Sequence, residues 1–182
     1  GHTSVLEHCY VNLSFENVSV LAEQFLIEFR LASFTVKSRR YVDFSKAGYV
    51  LPDFTDDAQK AIFENTVESL FGIYDALEAA GVPKEDARFV LPYCFCSNFF
   101  CSMNARELVH VMNELTYGRG SRIPELRALG ESLFAQCEQQ LPFLAVRKPE
   151  AYRPSDAFCP RQVQLLTSKA PVTVLAAPQD AE

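Results

Sequence analysis

Between Tyr10 and Val18, polar Tyr10, Asn12, Ser14 and Glu16 alternate with apolar Val11, Leu13, Phe15 and Val18, a period close to two that predicts a half-buried β-strand. Ser19 is placed to cap a following helix. There Leu21, Ala22, Phe25, Leu26 and Phe29 recur at helical spacing, forming one apolar stripe and putting Arg30 at the last turn. The next segment, up to Tyr41, reads as a loop hanging from that helix end. From Asp53 to Gly81 the helical pattern is strongest. Asp56 and Asp57 suit the first turn, Ile62, Phe63, Val67, Leu70, Phe71, Tyr74 and Leu77 build a wide stripe, and Gly81 and Pro83 end it.

Residues 88–103 are aromatic and β-favouring without a glycine, which predicts a long buried strand with Pro92 at an edge or bulge. Asn104 is a good N-cap for a helix running through Leu108, Val111, Met112 and Leu115 to the Gly118-Arg119-Gly120 breaker. Another helix runs from about Pro124 to near Pro142. After Pro149 the composition turns proline-rich. The expected division is one mixed α/β (α+β) domain over residues 1–149, a central sheet flanked by helices, and a tail or linker over residues 150–182.

The chain has 182 residues, 48% hydrophobic and 22% charged, enough for one well-filled core, and its net charge of −6 argues against a general nucleic-acid or membrane-surface binder. No apolar run is long enough to span a bilayer and no export signal is evident, so the expected location is cytoplasmic. Six cysteines are interleaved with aromatics, and reduced, buried thiols are the favoured state. Cys94, Cys96 and Cys101 invite a zinc reading. However, Cys-Phe-Cys is not the usual ligand spacing and the nearest imidazole is His110, so packing is preferred and no metal is expected.

Against this acidic background, Arg30, Arg39 and Arg40 fall within a dozen residues that also carry Ser33, Thr35 and Ser38. Guanidinium forks offer paired planar donors that stay charged at any working pH, so the cluster is a candidate seat for a phosphate.

Three blocks resemble the flavin-dependent thymidylate synthases in residue type, order and spacing. They are Gly1-His2-Thr3-Ser4-Val5-Leu6-Glu7-His8, the Arg30–Tyr41 segment, and Ala87-Arg88-Phe89-Val90-Leu91-Pro92 followed by Met103-Asn104-Ala105-Arg106-Glu107-Leu108. The similarity covers roughly residues 1–143. It implies FAD as cofactor, methylenetetrahydrofolate and NADPH as co-substrates, and reductive methylation of dUMP to dTMP in a homotetramer with the flavin between subunits. By the same resemblance Arg30, Ser38, Arg39, Arg40 and Arg88 bind the nucleotide, while Ser4, Arg30, Asn104, Arg106 and His110 contact the flavin. Read on their own, Asn104 is equally a plain helix cap, His110 a partly exposed helix residue and Arg106 a solvated charge.

The family signature is Arg-His-Arg, seven residues, then Ser. Arg30 and Ser38 keep the interval, but Glu28 and Phe29 take the first two places, Val36 takes the place of an acid, and Leu115 that of an arginine near the end of its helix. Arg119 is the candidate substitute for that arginine. The family's usual segment ahead of the Gly-His block is not in this chain, which therefore reads as a fragment. These departures leave a second reading open, a degenerate relative serving as a nucleotide-binding or assembly subunit.

Overall fold

The computed structural model describes residues 2–153. Its centre is a three-stranded antiparallel sheet in the order β1-β3-β2, with β1 at Tyr10–Ser19, β2 at Ala32–Val36 and β3 at Cys96–Asn104. The predicted alternation on β1 is realised. Phe15 and Val18 are buried, and Tyr10, Asn12 and Ser14 face outward. The register slips between Phe15 and Val18 at a bulge, where Asn17 takes a positive φ of 55° and its amide donates to Asn98 Oδ1 at 2.6 Å.

β1 runs directly into α1 (Val20–Ile27), whose N-cap is Ser19, accepting from the Ala22 amide at 3.0 Å. α2 (Asp57–Ala79) is the long helix expected from its stripe, capped by Asp56. Val67 and Tyr74 are its fully buried positions, whereas Ile62 of the predicted stripe is exposed. α4 (Ala105–Thr116) is capped by Asn104, which accepts from the Glu107 amide at 2.8 Å, and α5 (Pro124–Gln140) opens on its proline. Leu108, Val111, Met112 and Leu115 of α4 are all fully buried.

The inner face of the sheet packs against α1, α4 and α5 to make the main core, with Phe15 stacked on Phe99 at 4.8 Å between centroids. Gly130 of α5 lies so close to α4 that a Cβ there would fall 2.8 Å from the Leu115 Cβ and collide with the Thr116 hydroxyl. A second apolar cluster gathers Val20, Phe44, Tyr74, Ala87, Leu91 and Phe95 beneath α2.

Two expectations need correction. The Arg30–Tyr41 segment is not one loop, because Ala32–Val36 form edge strand β2, paired with Phe99–Met103 of β3. Nor is residues 88–103 one long strand. A short helix α3 (Lys84–Ala87) passes into a 3-10 turn at Arg88–Val90, and a turn through Pro92 precedes β3, which begins only at Cys96. Of this stretch Leu91 and Phe95 are buried in the second cluster, whereas Phe89 and Tyr93 are exposed. The opening residues also gain structure, a 3-10 helix at Thr3–His8, and α6 (Pro149–Tyr152) straddles the expected boundary between domain and tail. The rest of that tail, residues 154–182, lies outside the described residues.

Candidate functional site

Because β2 intervenes, the arginine cluster is divided between the two ends of an edge strand, and each end meets a different cavity. The first cavity, about 820 Å³, lies where the Thr3–His8 turn, the end of α1 and the start of α4 converge. Arg30, Asn104, Arg106, His110, Arg119 and Lys148 supply polar groups to its wall. Four of the five residues expected to contact a flavin are therefore brought together. Ser4 is not among them: it is exposed on the opening turn, where Thr3, Leu6 and Glu7 are the residues that line the cavity.

Acids balance these cations. Arg106 pairs with Glu7, and the Arg119 guanidinium reaches Glu28 at 3.0 Å while lying 5.1 Å from the Phe25 ring centre. Both partners of each pair are about half exposed. Coulomb attraction is weak in that setting, so an incoming phosphate can take over either cation at small cost. Glu28 is thus offset by Arg119, the residue considered as a substitute elsewhere. Leu115 is fully buried in the core and lines neither cavity described here. Phe29, where the signature has histidine, is also buried, edge-on to the His110 ring at 5.5 Å between centroids.

Two wall residues, Lys148 and Tyr152, and the buried Asn113 that positions them lie outside the motifs. Asn113, fully buried on α4, donates to the carbonyls of Val109 and Val146 at 2.7 and 2.8 Å and accepts from the Lys148 amide at 2.6 Å. It ties the chain after α5 across α4, which sets Lys148 on the cavity wall and lets the Tyr152 hydroxyl meet His110 Nδ1 at 2.9 Å. A buried Asn on the apolar face of a helix was the available signal.

The second cavity is smaller, about 220 Å³, and sits toward the start of α1, with Gln24, Arg39, Arg88, Phe89 and Phe95 in its wall. Arg39 and Arg88, two of the five expected nucleotide ligands, meet here. Arg39 pairs with Glu23, which is 1% exposed, and Arg88 Nε donates to the Glu85 carbonyl at 2.8 Å. Ser38 and Arg40 stand beside this cleft without lining it. The Ser38 hydroxyl accepts from the Arg40 amide at 3.3 Å, and Arg40 points outward to Glu85 at 2.7 Å, which holds its guanidinium charged and raises its pKa. Arg30 belongs to the first cavity alone.

Among the described residues the thiols line neither cavity. Burial raises the pKa of Cys94, Cys96 and Cys137, and pushes Cys101 up to about 12, so these are neutral packing groups. Among the described residues no group of three or more His, Cys, Asp or Glu is placed to hold a metal ion. No helix of the described residues is long and apolar enough to cross a membrane.

Residues 1–143 match the family model for thymidylate synthase complementing protein. The chain belongs to that family. Among similar curated proteins is the flavin-dependent thymidylate synthase of Geobacter sulfurreducens, 40% identical over 60% of this chain and 49% of its own length. That of Nitratidesulfovibrio vulgaris is 35% identical over 79% of this chain and 62% of its own length. The chain thus spans about half to three fifths of these relatives. Similar solved structures include thymidylate synthase X of Helicobacter pylori with FAD and dUMP, with 23% identity, a TM-score of 0.62, and coverage of 79% of this chain and 74% of that one. The UMP/dUMP methylase PolB of Streptomyces cacaoi, bound with 5-Br dUMP, has 24% identity, a TM-score of 0.67, and coverage of 79% and 73%. At these identities the structures establish the shared fold, so the mixed α/β expectation holds for this chain.

Proposed function

We propose that this chain carries the nucleotide- and flavin-binding core of a flavin-dependent thymidylate synthase, which converts dUMP to dTMP by reductive methylation with methylenetetrahydrofolate as carbon donor and NADPH as reductant. The observation that supports this most is the convergence of Arg30, Asn104, Arg106 and His110, distant in sequence, on one cavity in a chain matching the family over residues 1–143.

The donor set fits FAD. Arg30, Arg106, Arg119 and Lys148 offer cationic donors for a diphosphate, and the capped N-terminus of α4 favours negative charge beside them. The apolar edges of Phe29 and Leu6 give a ring system something to lie against. When bound, the flavin would supply the redox chemistry that no side chain here can perform.

The protein's own part is binding and orientation. Arg39 and Arg88 hold the nucleotide from the second cleft, with Ser38 and Arg40 closing over it from the turn after β2, and their fixed positive charge stabilises negative charge gathered on the pyrimidine. Since the two cavities are separate, one toward each end of α1 and β2, a site that stacks flavin on uracil is completed by a second copy, consistent with a homotetramer. The reading also places the enzyme in the cytoplasm.

The test uses the full-length gene product. It should purify with flavin absorbance that survives gel filtration, convert dUMP to dTMP when given methylenetetrahydrofolate and NADPH, and restore growth of a thymidine-requiring bacterial strain. A folded, colourless protein that refuses added FAD and makes no dTMP would return the chain to the non-catalytic reading.

A further inference from the structure

Glu23 is the most deeply buried acid in the described part of the chain, and nothing in the motifs points to it. It sits in the first turn of α1, flanked by buried Ala22 and, one turn on, Leu26. A carboxylate there must be paired, because removing a charge from water is costly. Its two oxygens are both satisfied. Oε1 accepts from Arg39 Nη2 and Oε2 from the Ser97 hydroxyl on β3, while the helix N-terminus adds favourable potential.

We infer that Glu23, with Ser97 behind it, is a positioning residue that locks Arg39 in the wall of the second cleft as a preset anchor for the anionic nucleotide. Stability alone does not call for this arrangement, since a buried ion pair is commonly matched or bettered by apolar side chains of similar size. Arg39, and not Glu23, lines the cavity that also holds Arg88 and Gln24, so the guanidinium faces a space a ligand can enter while its acid stays behind it. Arg39 is otherwise held by Phe95, whose ring centre lies 5.7 Å from its guanidinium carbon. Its Nε is buried without a partner, so the guanidinium carries one unsatisfied donor in this pose. Arg40, one residue on, makes the contrast. It is tied only to a half-exposed acid, and its side chain is free to reorient. Fixing Arg39 in advance removes the rotamer entropy that a flexible arginine loses on binding.

This inference rests on the synthase reading, which supplies the nucleotide, and the test separates the two. In the full-length protein, dUMP binding is measured by calorimetry and thermal unfolding is recorded for the wild type, Glu23→Gln, Arg39→Gln and the double variant Glu23→Met/Arg39→Met. The wild type binds dUMP. Each single variant weakens dUMP about tenfold or more, the loss of one charge-assisted hydrogen bond, and raises KM for dUMP. FAD affinity is untouched. The double variant keeps the thermal stability of the wild type, yet binds dUMP as weakly as Arg39→Gln. It carries the test if the singles fail to fold. Wild-type dUMP affinity in the double variant, or in folded Glu23→Gln, overturns the positioning role and leaves the synthase reading intact. A wild type that does not bind dUMP overturns both.

Discussion

The two arginine sites are built on opposite electrostatic plans. Around the first cavity the cations Arg106 and Arg119 are paired to Glu7 and Glu28, all about half exposed, so water screens each pair and either cation can change partner. Around the second cleft Arg39 is bound to an acid that is 1% exposed and held from behind by Ser97. The first plan suits a large ligand arriving with its own charges, and the second suits a small one that must be held in a single pose. Similar residue types therefore meet different electrostatic settings according to how far their counter-ions are from water.

The sharpest way to break the comparison is to remove the buried acid. Glu23→Ala leaves Arg39 with an uncompensated charge and Ser97 without its acceptor. It should cost about 3–5 kcal/mol of folding stability in chemical denaturation. Loss of less than about 1 kcal/mol, the range of an exposed pair, would erase the distinction. Leu115→Ala comes next, at about 2–5 kcal/mol from the cavity it opens between α4 and α5. Its binding of dUMP and FAD should be unchanged, since Leu115 lies in the core and not at the reacting end of either site.

Leu115 holds the place of the family's arginine by resemblance, and the structure buries it in the core. That illustrates where the sequence was legible and where it was not. β1, α2, α4 and α5, with caps Ser19 and Asn104, were readable because their signals are local: a period of two, a period of 3.6, and one oxygen at a helix start. β2 was hidden because arginines flank it on both sides and its five residues are stabilised by pairing to β3, more than sixty positions away. The turn over residues 88–95 carries a strand-like composition because Leu91 and Phe95 are buried beneath α2 while Phe89 and Tyr93 stay on the surface, and composition does not separate the two settings. Five arginines were marked as binding residues, yet the acids that sort them, Glu23 and Glu85, lie 16 and 45 positions from Arg39 and Arg40 and could not be paired by eye. The Glu on the buried face of α1 was the one clue present in the chain.

A smaller effect separates the plans from the other direction. Glu28→Gln removes the acid that competes for Arg119, and should raise FAD affinity a few-fold in a fluorescence titration while leaving the melting temperature nearly unchanged. A fall in affinity would mean that Glu28 itself contacts the cofactor.

The smallest effect concerns the thiols. Cys101 has its pKa raised from 9.0 to about 12 by burial, so the folded state holds that proton more tightly than the unfolded chain. Its contribution to stability is fully present below pH 9 and fades as pH climbs toward about 12. In the native protein at pH 8, exposed Cys9 should be alkylated well before Cys101 or Cys137, as read by peptide mass spectrometry.

The division of labour between the two sites is tested most directly by one FAD titration of the full-length protein carrying Arg106→Ala or Arg39→Gln. Arg106→Ala should weaken FAD about tenfold and Arg39→Gln should leave it at the wild-type value, because only the former lines the larger cavity. Equal loss in both variants, or loss in Arg39→Gln alone, would contradict the account.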